Sequence, residues 1–136
     1  MLKLAVAYGS AAFAFLIFDM IWLSTMNAAL YRPVLGPILA DQVRLAPAIV
    51  FYLLFVAGIV YFGIIPGLEA QRWTVALLNG ALFGFFAYAT YDLTNHATLK
   101  IWETHVTLAD MAWGTFVTGM ASTAGYFAAS WFADRT

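Results

Sequence analysis

Three aspartates stand where water is scarce. Asp19 lies in Phe18-Asp19-Met20-Ile21-Trp22 near the end of one apolar run, Asp92 ends another in Tyr91-Asp92-Leu93-Thr94-Asn95-His96, and Asp110 opens a third in Asp110-Met111-Ala112-Trp113-Gly114. An ionisable group at bilayer depth costs about 2.5–3.5 kcal/mol on insertion scales, so it faces protein or trapped water and marks a functional site by default. Carboxylates held together out of water suit proton coupling, or attraction of a cation or of the polar head of an amphiphile.

Other polar groups cluster near them in sequence. Asn95 and His96 follow Asp92 by three and four residues, so one helical face presents all three if the helix continues past Tyr91. The connector beyond adds Thr98, Lys100, Trp102, Glu103 and His105. Trp22 and Trp113 each stand three residues after an aspartate, where an indole N–H can donate to a carboxylate. The competing reading makes Trp22, Trp113, Trp102 and Tyr31 interfacial anchors. It also makes the aspartates a structural network paired with Arg32, Arg44 or Lys100.

Other chemistries are poorly served. There is no cysteine, which removes disulfides, thiolate metal sites and cysteine nucleophiles. His96 and His105 lie nine apart with no H-x-x-x-H or E-x-x-H pair, so we expect no metal. Ser10, Ser24, Ser122 and Ser130 lack a nucleophile-elbow setting, and the absence of a glycine-rich phosphate loop leaves no cofactor implied.

The elements that must position these residues follow from composition. Of 136 residues, 64% are apolar and 10% charged, with a mean hydropathy of +0.85. Such a chain cannot cover a water-facing surface, and it reads as a single transmembrane domain, 1–136, with lipid as its outer solvent. A net charge of -1 offers no basic stripe to nucleic acid. Lys3 and the small residues Ala12 to Ala14 mimic a cleaved signal, but the run continues through Leu16, Ile17 and Phe18 and is read as a retained span. Spans are expected at about 4–23, 47–65, 73–91 and 106–127. Pro47 sits in a first helical turn, and Pro66-Gly67 is expected to stop the second span, leaving a short hairpin connection to the third. The connector from Leu30 to Arg44 mixes apolar residues, prolines and charges. It suggests an interfacial segment, with a short helix after Pro37, lying like a lid on the bundle.

Alternating spans bring all three aspartates to one membrane side. Stepping back by fours from Asp92 gives Tyr88, Gly84, Gly80 and Ala76; stepping forward from Asp110 gives Gly114, Thr118, Ala121 and Gly125. Small stripes let helices approach closely, so Gly80, Gly84 and Gly114 are expected at helix contacts and the acids are expected to point inward. Lys3, Arg72 and Arg135 balance Arg32, Arg44 and Lys100 across the membrane, and only the terminal amine beside Lys3 favours an N-terminus in the cytoplasm.

Phe18-Asp19-x-x-Trp22, the run Tyr91-Asp92-Leu93-Thr94-Asn95-x-Ala97-Thr98-Leu99 with Trp102, and Asp110-x-x-Trp113-Gly114 resemble a family of small bacterial four-span membrane proteins described only as predicted membrane proteins of unknown function. The resemblance covers nearly the whole chain. It implies a bacterial inner-membrane protein and brings no assigned activity.

The expected fold is an all-α integral membrane four-helix bundle with an interfacial segment between helices 1 and 2. The expected function is binding or transport of a small cationic or amphiphilic ligand, or of protons, by a one-sided cluster of Asp19, Trp22, Asp92, Asn95, His96, Trp102, Asp110 and Trp113. The alternatives are an accessory subunit of a larger membrane complex or a lipid-modifying membrane enzyme; the partners to be considered are the lipid bilayer and a homo-oligomer or larger membrane complex.

Overall fold

The computed structural model describes residues 1–135. Its elements in chain order are α1 (Leu2–Met26), a π-helical turn (Asn27–Tyr31), α2 (Arg32–Leu35), a 3-10 turn (Gly36–Ile38), α3 (Leu45–Gly58), a second π-helical turn (Ile59–Ile64), α4 (Ile65–Ala70), α5 (Trp73–Thr98) and α6 (Thr104–Ala133). The π-turns join their neighbours into continuous helical stretches, and these amount to an all-α membrane bundle of four rods. Leu2–Ile38, Leu45–Ala70 and Trp73–Thr98 are each long and apolar enough to cross a bilayer. The fourth rod, α6, is 30 residues long but carries glycine, serine and threonine through its middle. It is the rod most enclosed by protein, burying Gly114, Thr118, Ala121, Ser122 and Gly125 among others, and a helix shielded from lipid by its neighbours has less need of apolar side chains.

Helix contact in lipid depends on packing, since hydrocarbon outside is as apolar as leucine inside. The two small-residue stripes face each other in one antiparallel register. Ser122 Oγ donates to the Ala76 carbonyl at 2.8 Å, Gly80 lies against Ser122 and Thr118, Gly84 against the Gly114 carbonyl, and the Tyr88 ring against Gly114. The next step of four brings Asp92 to Asp110, and a final one brings His96 to Thr107, with Nδ1 3.2 Å from Oγ1. On another side α6 takes α1, whose Ala7, Ala11 and Phe15 join Ile59, Ile64, Val117 and Ala121 in the core.

The helix ends depart from the sequence reading. Pro66-Gly67 does not stop the second rod, which runs on to Ala70. The Ile65 N–H bonds the Val60 carbonyl five residues back, and this widened turn gives the pyrrolidine ring room where an ordinary α-turn would clash with it. The rod ends at Gln71, in the left-handed region at φ 53, with the Arg72 N–H closing on the Gly67 carbonyl at 3.0 Å. The short helix of the first connector precedes Pro37 instead of following it. Pro33 of α2 follows the first π-helical turn, where the Arg32 N–H bonds the Asn27 carbonyl five residues back, so a widened turn again makes room for the ring. Leu35 of that helix packs with Trp102 and Val106, flanked by Leu30, Tyr31, Val34 and Ile101, so the connector covers the junction of α5 and α6.

Candidate functional site

Each of the three span aspartates is buried, with relative exposures of 8% for Asp19, 0% for Asp92 and 6% for Asp110. Their partners are tyrosines. The Tyr52 hydroxyl of α3 donates to Asp19 Oδ2, and the Tyr31 hydroxyl donates to Asp110 Oδ1. Trp22 Nε1 donates in turn to the Tyr31 hydroxyl at 2.8 Å, which makes a chain from indole to phenol to carboxyl. The Trp22 ring stacks on Trp113, centroids 4.4 Å apart and planes within 9°. Helical side chains lean toward the N-terminus of their own helix, which is how Tyr31, beyond the end of α1, reaches back over Asp110.

Asp92 has no such donor, and among the described residues its carboxyl meets only that of Asp110 within hydrogen-bond reach. It faces Asp110, but an ionised carboxylate only accepts, so the two can bond each other only when one carries a proton. Tyr88, one turn before Asp92, lies within electrostatic reach of all three acids. The Trp113 indole N–H is also buried, its nearest acceptor the Asp19 carboxylate, which it approaches without ordinary hydrogen-bond geometry.

Of the other expected members, Asn95 and His96 stand apart, while Trp102 lines a cavity together with Asp19, Trp22, Asp110 and Trp113. His96 and Trp102 converge on Thr107, with Trp102 Nε1 donating to its hydroxyl at 2.9 Å. Trp102 is only 7% exposed, so it is a packed residue and not an anchor at the membrane surface. Asn95 is half-buried, and its backbone carbonyl caps α5 by accepting from the Leu99 N–H at 2.8 Å. Arg32, Arg44 and Lys100 are exposed; among the described residues no basic side chain forms an ion pair with a buried aspartate, and His105 with Glu103, 3.1 Å apart, is a surface pair. The three acids do not converge on one point either, since no group of three His, Asp or Glu is placed to hold a metal among the described residues. The arrangement is a pair, Asp92 with Asp110, and a separate Asp19.

Two cavities adjoin these residues, each of about 330 Å³. The first is walled by Asp19, Asp110, Tyr31, Tyr52, Tyr88 and Trp113 among others. The second lies between Phe51 and Phe55 of α3 and Ala87, Tyr88 and Tyr91 of α5, and it reaches Asp110. It exists because α3 leans on α1 while the π-turn beneath it, through Gly63, sits close against Gly80 and Ser122. Above that contact the second rod diverges from α5, and ring contacts such as Phe55 with Phe83, 5.1 Å between centroids, bridge the gap.

The model of a family described as predicted membrane protein (DUF2177) matches residues 4–127. The chain belongs to this family. No curated protein and no solved structure matches it. In this DUF2177 protein the matched stretch contains every acid and tyrosine of the cavity. Tyr52 was invisible as a site residue in the sequence, and Tyr31 read as an anchor, because both meet their acids across helices and share no local spacing with them. Tyr88 was marked only by its place four residues before Asp92.

Proposed function

We propose that this membrane protein binds small organic cations with an apolar body, the charge held between Asp19 and Asp110 and the body in the cleft between α3 and α5. One observation carries the reading: the acid-lined cavity and the apolar cleft lie side by side, with Asp110, Tyr88 and Tyr91 in the walls of both. Aromatic faces attract a poorly hydrated cation, and carboxylates with neutral donors but no basic partner leave a charge for a ligand to complete. With the N-terminus in the cytoplasm of a bacterial inner membrane, as the terminal amine and Lys3 favour, the cavity belongs to the outer half of the bilayer.

The test is equilibrium binding of tetraphenylphosphonium and dodecyltrimethylammonium to the purified protein in mild neutral detergent, with dodecanol as the uncharged control. Saturable binding of the cations is expected, weakened at least about tenfold in Asp19→Asn and in Asp110→Asn and unchanged in Asp41→Asn, an exposed acid of the connector. No saturable cation binding, or equal binding by folded Asp19→Asn and Asp110→Asn, overturns it.

A further inference from the structure

Asn79 lies outside the site just described. It shares one face of α5 with Leu82, Phe83 and Phe86, the i, i+3, i+4, i+7 set, and with Phe62 of the second π-turn these residues line a shallow groove on the lipid side of the bundle. Leu82, Phe86 and Phe62 are exposed, at 47%, 64% and 52%. Asn79 stands six residues past Trp73, where α5 begins, which puts it about 9 Å along the helix from that end. Its side chain is too short to snorkel to the headgroups as lysine or arginine would.

Among the described residues the Asn79 amide makes no hydrogen bond; the Thr118 hydroxyl lacks a partner too but is sealed inside the bundle, whereas Asn79 lines the groove on the lipid side, and two hydroxyls nearby are paired. Ser122 bonds across to Ala76, and Thr123 bonds back to the Gly119 carbonyl. An amide left unpaired in hydrocarbon is unfavourable, and in membranes such side chains commonly bond across helices.

We infer that two copies of the chain associate through this groove, with the two Asn79 amides bonded to each other across a twofold axis. An amide carries both donor and acceptor, so it is its own complement. A twofold axis lets each N–H meet the other copy's C=O, with one surface patch serving both sides. The flanking Phe62, Leu82 and Phe86 bring no charge that would repel a second copy, and the cation cavity lies elsewhere on the bundle, so the inference stands independently of the ligand.

The chain has no cysteine, so Asn79→Cys introduces its only thiol. Copper-phenanthroline oxidation in native membranes is expected to give a dimer from Asn79→Cys several-fold more efficiently than from Met120→Cys, which lies at similar depth on the exposed side of α6 at 37% exposure. In bilayers, energy transfer between labelled copies is expected to report self-association about three- to tenfold weaker for Asn79→Leu and kept by Asn79→Gln. The melting temperature of Asn79→Leu should not fall, because that amide has no partner among the described residues of its own chain. Cross-linking at position 79 no better than at 120, unchanged association of Asn79→Leu, a monomer at every concentration, or a cross-linked product containing a different protein each overturns the inference.

Discussion

The Tyr31 hydroxyl, carried on the widened turn that follows α1, donates to the Asp110 carboxyl on α6 while accepting from Trp22. This one phenol therefore satisfies two groups from two rods. Tyr31→Phe leaves a buried carboxyl and a half-buried indole N–H each short of a partner, and it is expected to lower stability by about 1–3 kcal/mol. Combined with Trp22→Phe the losses should fall short of their sum, because both act on one chain of bonds. Unfolding of the two single variants and the double variant in detergent measures this.

Asp92 offers the opposite outcome. Its carboxyl is fully buried with no donor, and Asn at that position would supply an N–H to Asp110. Asp92→Asn is expected to stabilise the protein by about 1–3 kcal/mol, read as a rise in melting temperature. A fall would mean that the acid has a partner at this site which the amide cannot replace.

Protons and the ligand compete for the same carboxyls. A carboxylate that gains a proton loses the charge that draws the cation, so affinity for tetraphenylphosphonium should weaken as pH falls and recover as it rises. Asp19→Asn with Asp110→Asn should flatten that dependence. A wild-type affinity that is constant with pH would show that these acids do not carry the binding.

The glycines divide by what a Cβ would meet. At Gly84 it would run into the Gly114 carbonyl and Thr118, and at Gly114 into the Tyr88 ring. Alanine at either is expected to cost about 1–3 kcal/mol, the more at Gly84 because a backbone atom must yield. Nothing lies within 4 Å of a Cβ at Gly9, and Gly9→Ala in the middle of α1 should gain about 0.5–1 kcal/mol. Thermal melts of the three variants in one detergent rank them.

Gln71 holds a left-handed conformation at φ 53 that costs a side-chain-bearing residue about 1–2 kcal/mol. Gln71→Gly should recover about 1 kcal/mol at this helix end, again read by melting temperature, with cation binding unchanged because the residue lies at the opposite end of the bundle from the aspartates.

By itself the sequence determined that the protein is an all-α membrane bundle, because 64% apolar residues in runs of about 20 cannot be hidden from water any other way. It also determined that Asp92 and Asp110 continue the two small stripes, since a step of four residues stays on one helical face. Only the tertiary structure decided that those stripes meet in one register, which sets Asp92 against Asp110 and leaves Asp19 apart. It decided too that Tyr31 and Tyr52, and not Arg32, Arg44 or Lys100, satisfy the acids. Hydrogen bonds between helices depend on rotation, tilt and widened turns such as Asn27–Tyr31 and Ile59–Ile64, and these arise from packing among all four rods, which the periodicity of any single rod does not encode.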